Sequence, residues 1–138
     1  IQGEIDIGEI LNYLNVSGAT IALPAICKDK IEIYFRCWSL KDKLEKGKFN
    51  TYQPSKKNKI ISPDLILVPL LAFDKKGYRL GYGKGFYDKG IRELRKEKDV
   101  LAFGVAYDWQ EVSNVPRNKF DVSLDGIFTP SRFLDVNR

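Results

Sequence analysis

Residues 77–88, GYRLGYGKGFYD, constrain the fold of this chain more than any other stretch. Three glycines at alternate positions, Gly81, Gly83 and Gly85, are threaded with Arg79 and Lys84. Neither a helix nor a strand tolerates glycine at that density, so the chain must turn here. Glycine reaches φ > 0 and carries no Cβ, which lets backbone N–H groups approach an anion closely. Upstream, Leu65-Ile66-Leu67-Val68 follows Pro63-Asp64 as a short apolar run and predicts a buried strand. Downstream, Phe86 onward is interrupted only by Gly90 and predicts a helix. The order strand, loop, glycine turn, helix aims a helix N-terminus and its unpaired N–H groups into the turn, an arrangement that favours bound phosphate.

Charge concentrates at the same place. Residues 74–98 hold nine cations against four anions, which accounts for the whole net charge of +5. A basic segment centred on a glycine turn suits a polyanionic partner such as a nucleotide. For the distal cluster, Arg92 to Lys98, a solvated helix face is the plainer expectation, because Glu93 and Glu97 alternate with the cations. The chain has no histidine, which excludes Ser-His-Asp and Cys-His catalysis and the usual zinc sites. Chemistry must therefore use carboxylates, cations, backbone dipoles or a hard metal such as magnesium. The two cysteines, Cys27 and Cys37, have neither zinc spacing nor a disulfide framework around them and are expected as buried free thiols.

With 138 residues, 43% of them apolar, the chain is expected to form one domain, residues 1–138. No run has the length of a membrane span, and a cytoplasmic protein is the expectation. Residues 5–15 predict an amphipathic helix with Gly18 as its stop. Residues 20–26 and 31–38 predict two strands joined by a turn at 28–30. Residues 40–59, lysine-rich with Gly47 and Pro54, predict a surface excursion too poor in apolar residues to be core. A helix over 86–96, with Ile91 and Leu94 inward, and strands over 100–107 and 125–129 follow. Alternating strands and helices predict an α/β fold, an open, mainly parallel Rossmann-like sheet with helices on both faces and ligand at the carboxyl ends of the strands. The glycine pattern itself lacks both the GxGxxG spacing of a dinucleotide fold and the GK[ST] ending of a Walker loop.

Residues 63–91, PDLILVPLLAFDKKGYRLGYGKGFYDKGI, resemble the signature of the 5-formyltetrahydrofolate cyclo-ligase (5,10-methenyltetrahydrofolate synthetase) family in the strand, the Phe-Asp turn, the RLGYGxG(Y/F)YD loop and the following helix. The resemblance extends more loosely to Gly3-Glu4-Ile5-Asp6, Ala22-Leu23-Pro24, Gly104-Val105-Ala106-Tyr107 with Gln110, and Phe120–Asp125, which is similar to a closing HDxxxD element. It implies ATP- and magnesium-dependent closure of 5-formyltetrahydrofolate to 5,10-methenyltetrahydrofolate with release of ADP and phosphate. No histidine or covalent nucleophile is needed for that chemistry, which rests on positioning and charge neutralisation.

On this resemblance Arg79 and Lys84 are the catalytic cations. Arg79, Leu80, Gly81, Tyr82, Gly83, Lys84, Gly85, Phe86 and Tyr87 form the ATP site. Glu4, Tyr82, Gly83, Lys84, Gly85 and Phe86 meet the folate, and Asp88 and Asp121 hold Mg2+. The implied partners are the two small molecules, with no membrane, nucleic acid disfavoured, and a monomer or weak dimer. Two departures stand out. Phe120 occupies the position where the family usually has histidine. Family members also carry a further N-terminal portion with basic residues that contact ATP, so the chain reads as N-terminally incomplete. The competing reading is a truncated inactive form or a non-catalytic relative that binds nucleotide or single-stranded RNA through cations interleaved with Tyr78, Tyr82, Phe86 and Tyr87. A sugar-phosphate isomerase on a similar sheet would bind phosphate without releasing ADP.

Overall fold

The computed structural model describes residues 6–27, 32–48, 51–81 and 85–136. The chain divides between Pro63 and Asp64 into two compact units.

In residues 6–63, helix α1 spans Gly8–Val16 and begins where the Asp6 carboxylate accepts the Gly8 N–H at 2.8 Å. Its apolar stripe is only half covered: Leu11 and Leu14 are half-buried and Ile10 is exposed. Gly18, at φ 100°, follows its end. Strands β1 (Ala22–Ile26) and β2 (Ile33–Cys37) pair antiparallel, and β5 (Ile60–Ile61) adds antiparallel to β2. Between them, β3 (Glu45–Lys46) and β4 (Tyr52–Gln53) form a short antiparallel ribbon. The described residues of the expected surface excursion over 40–59 are exposed or half-buried except at two positions. Gln53 and Pro54 are buried, and the Gln53 Oε1 accepts the Ile26 N–H at 3.3 Å. A buried amide with a backbone partner does the work of an apolar residue here, so hydrophobicity alone misses it. The two cysteines are free thiols, half-buried rather than buried.

In residues 64–136, β6 (Leu65–Val68), β9 (Leu101–Val105) and β10 (Gly126–Phe128) run parallel, and β11 (Phe133–Asp135) closes antiparallel on β10, giving the order β11-β10-β9-β6. Alternation separates two faces. Ile66, Val68, Ala102 and Ile127 are buried with Leu70, Phe73, Ile91 and Leu124, while Leu65, Leu101, Phe128 and Phe133 are exposed. A hairpin, β7 (Ala72–Phe73) with β8 (Arg79–Leu80), leads into the glycines at 81–85, where the sequence predicted only a loop. Helix α2 (Phe86–Glu97) buries Ile91 as predicted, and Leu94 is half-buried.

The fold is α/β, but the sheets are mixed. The sheet of residues 64–136 has two parallel pairings and one antiparallel, whereas the sheet of residues 6–63 is antiparallel throughout. Parallel strands need a crossover of a dozen residues or more, and α2 supplies one between β6 and β9. The close spacing of β1 and β2 permits only an antiparallel hairpin. Helices on both faces are likewise not seen in residues 64–136, where α2 is the one α-helix among the described residues.

Asp74 fixes the hairpin. Its carboxylate, 2% exposed, accepts the N–H groups of Lys76 at 3.0 Å, Tyr78 at 3.2 Å and Val115 at 2.9 Å, tying the turn to a segment forty residues on. Gly77, at φ 85°, completes the turn, and a Cβ there would lie 2.8 Å from the Leu124 carbonyl oxygen. Removing a buried acceptor leaves its donors unsatisfied, so Asp74→Ala is expected to lower the unfolding free energy by about 2–4 kcal/mol, with Asp74→Asn recovering part of the loss. Urea denaturation measures this; an unchanged midpoint in Asp74→Ala would contradict it.

Candidate functional site

Arg79, at the start of the glycine-rich stretch, is held from several sides. Its side chain is 6% exposed, Nη1 donates to the Pro69 carbonyl at 3.3 Å, Nη2 lies 3.7 Å from Asp88 Oδ2, and the guanidinium sits 5.5 Å from the Tyr87 ring centroid. Its Nε is buried with no hydrogen-bond partner among the described residues. The neighbouring glycine follows from this placement: a Cβ on Gly81 would collide with the Arg79 guanidinium. Gly85 has a different reason. It precedes α2 at φ 71°, in the left-handed region, with nothing within 4 Å of where its Cβ would stand.

Asp88 sits in the first turn of α2 but does not cap it. Its Oδ1 accepts the Val122 N–H at 3.2 Å while Oδ2 faces Arg79. That N–H belongs to the peptide joining Asp121 to Val122, so this hydrogen bond places the backbone of Asp121 beside Asp88. Asp121 also shapes its own turn, accepting the Asn118 N–H at 2.9 Å. Further along α2, Arg92 donates to the Phe120 carbonyl at 2.8 Å, and Arg95 donates to the Ser123 carbonyl at 3.0 Å and to Asp125 Oδ2 at 3.1 Å. Asp125 also accepts the Ala102 N–H at 2.8 Å. The distal basic cluster is thus only partly the solvated face expected from sequence, since Arg92 and Arg95 hold the 120–125 segment in place.

The structure brings Arg79, Gly81, Tyr87, Asp88 and Asp121 into one neighbourhood, with Gly85 and Phe86 opening the helix that carries Asp88. Leu80 follows Arg79 on β8 with its side chain exposed. Tyr82, Gly83, Lys84 and Glu4 lie outside the described residues. Among the described residues no group of three or more His, Cys, Asp or Glu side chains could hold a metal. Asp88 and Asp121 offer carboxylate oxygens, the donor type that a hard cation such as Mg2+ takes.

The sequence names Gln110 only within the family resemblance and does not reveal that it braces this neighbourhood. Gln110 is buried; its Nε2 donates to the carbonyls of Leu70 at 3.2 Å and Leu71 at 3.1 Å, and its Oε1 accepts the Tyr107 N–H at 2.8 Å. Residues 69–71, which also supply the acceptor for Arg79, are therefore tied to the carboxyl end of β9. A glutamine shortly after an apolar strand, at a position shared with the family resemblance, was the available signal. Beside it, Asp108 accepts the Ser131 hydroxyl at 2.6 Å. That bond, with Thr129 and the charge of Arg132, holds the Asp108 carboxyl below its ordinary value of 3.8.

A sequence profile of the 5-formyltetrahydrofolate cyclo-ligase family matches residues 1–130. The chain belongs to this family. It is 31% identical over 128 residues to the 5-formyltetrahydrofolate cyclo-ligase of Haemophilus influenzae, covering 89% of this chain and 68% of that protein. It is 28% identical over 136 residues to the enzyme of the same name from Escherichia coli K12, covering 95% and 74%. Two solved cyclo-ligase relatives share the fold. The 5,10-methenyltetrahydrofolate synthetase of Aquifex aeolicus superimposes with a TM-score of 0.76 at 31% identity over all of this chain and 69% of that one. The synthetase of Mycoplasma pneumoniae does so with a TM-score of 0.68 at 26% identity over 92% and 66%. The chain thus spans about two thirds to three quarters of the length of these relatives.

Because open space surrounds the Gly85 Cβ position, the cost of a side chain there is conformational rather than steric. Gly85→Ala should destabilise the protein by about 1–2 kcal/mol, and Gly85→Asn by less, since asparagine tolerates the left-handed region. Thermal or chemical denaturation of the pair checks this; equal losses would place the cost in packing instead.

Proposed function

We propose that this chain carries out the ATP-dependent cyclisation of 5-formyltetrahydrofolate to 5,10-methenyltetrahydrofolate, releasing ADP and phosphate. The observation that carries the reading is the buried Arg79, packed over Gly81 and paired with Asp88 at the start of α2, in a chain that matches the family over residues 1–130.

A formamide oxygen is a poor leaving group. Transfer of the γ-phosphoryl group to it breaks the phosphorus–oxygen bond to ADP and forms one to the formyl oxygen. The neighbouring folate nitrogen then attacks the activated carbon, loses its proton, and the carbon–oxygen bond breaks to release phosphate. Little covalent work falls to the protein; it must position the reactants and neutralise charge. Arg79, with a planar fork of donors held by Pro69, Tyr87 and Asp88, is suited to clamp phosphoryl oxygens without reorganising. Lys84 would add a point charge, and N–H groups around Gly81, Gly83 and Gly85 would complete the cradle. Tyr82 and Phe86 would offer flat faces to a ring of the substrates, and Glu4 would accept from the pterin edge. Asp88 and Asp121 would hold Mg2+, whose chemistry is to offset negative charge on the phosphates. The reaction needs no covalent protein intermediate, in keeping with a chain that has no histidine. No helix among the described residues is long and apolar enough to cross a membrane, and we place the chain in the cytoplasm as a monomer or weak dimer.

The test follows the ultraviolet absorbance of the methenyl product on mixing protein, 5-formyltetrahydrofolate and magnesium-ATP, with ATP omitted as control. Product growth should require ATP. Arg79→Ala should lower kcat/KM by about 10²–10³-fold, with Arg79→Lys intermediate because the charge stays but the fork is lost. Absence of ATP-dependent product, or an Arg79→Ala variant at full activity, would contradict the proposal.

A further inference from the structure

The function proposed above does not use Lys75 and Lys76, and they line a cleft of their own. The cleft has a volume of about 720 Å³ and is bounded by Lys75, Lys76, Tyr78, Arg95, Arg117 and Asp135, with Val122, Ser123 and Val136 completing its wall. Four cations thus face one carboxylate. Arg95 already has Asp125 as its partner at 3.1 Å. Lys75, Lys76 and Arg117 form no ion pair among the described residues, so none of the three has the close carboxylate partner that Arg95 has.

The walls are held before any ligand arrives. The Arg117 guanidinium lies 3.9 Å from the Tyr78 ring centroid, which fixes a planar donor fork over an aromatic face. The Ser123 hydroxyl donates to the Lys76 carbonyl at 2.7 Å, and the Leu124 N–H donates to the Gly77 carbonyl at 2.8 Å, which fastens the hairpin turn to the opposite wall. Asp74 anchors the same turn from inside. Adjacent lysines on a turn whose backbone is pinned, lining one cleft with a stacked arginine, make a concave cation set.

We propose that this cleft is a second anion site, for a small ligand carrying two or more phosphate charges, and that it is distinct from the Arg79 clamp. Arg79 is not among its lining residues. The proposal goes beyond the ring-closing function and stands whether or not that function holds.

Inorganic pyrophosphate without magnesium is the probe, titrated calorimetrically into the wild-type chain, Lys76→Glu/Arg117→Glu, Lys75→Gln/Arg117→Gln and Arg79→Ala. Far-ultraviolet circular dichroism checks that each variant is folded. Saturable binding is expected in the wild type. It should weaken by about tenfold or more in the charge-reversed pair, weaken less in the neutral pair, and persist in Arg79→Ala. Three results would overturn the proposal: no saturable binding by the wild type, binding lost in Arg79→Ala but kept in both cleft variants, or no pyrophosphate binding while a single-stranded oligoribonucleotide binds through the same residues. The methenyl-forming assay on the cleft variants keeps the two readings separate, because loss of pyrophosphate binding with ring closure intact supports the second site alone.

Discussion

One face of α2 holds an irregular segment in place, and the candidate site depends on that grip. Asp88, Arg92 and Arg95 stand four and three residues apart, so they project from one side of the helix. Between them they accept the Val122 N–H and donate to the carbonyls of Phe120 and Ser123, while Arg95 also reaches Asp125. Residues 118–125 have no ladder to satisfy their backbone groups. Side chains from the helix satisfy three of them, while the N–H groups of Leu124 and Asp125 donate to the carbonyls of Gly77 and Ala102, and together these bonds set the position of residues 120–125 against α2.

Asp88 has a second task at the same moment, because its other oxygen faces Arg79. An arginine this buried needs a counter-charge and hydrogen-bond acceptors to offset desolvation. The carbonyl of Pro69 and the carboxylate of Asp88 supply them. The loop that carries Pro69 is braced by Gln110 from the end of β9, so the guanidinium is held by three elements that meet at the carboxyl ends of parallel strands. Preorganisation of this kind is what phosphoryl transfer asks of a protein, since donors already in place need not reorganise when charge develops.

Much of residues 64–136 is legible from the sequence. The apolar run at Leu65–Val68, the glycine-free start at Phe86 and the buried Ile91 each carry their own local signal, and together they place a helix N-terminus at the glycine turn. The family signature lies in the same stretch. What escapes is non-local. The antiparallel pairing of β1, β2 and β5 depends on turn length and partner strands rather than on the composition of any one strand. The burial of Gln53 depends on a backbone donor 27 residues away. Arg92 and Arg95 look like a solvated charge run until residues 28 to 30 positions distant come to lie against them. Asp74 likewise reads as a turn residue, and its third partner, Val115, lies 41 residues on.

If activation proceeds, as proposed, by phosphoryl transfer to the formyl oxygen at the Arg79 loop, that oxygen must leave bound to phosphorus. With 5-formyltetrahydrofolate labelled with 18O in the formyl group, turnover with magnesium-ATP should place the label in the released phosphate, read by mass spectrometry or by the 31P isotope shift. Ring closure with unlabelled phosphate would contradict the account, because the formyl oxygen would then have left by a route that never joined it to phosphorus.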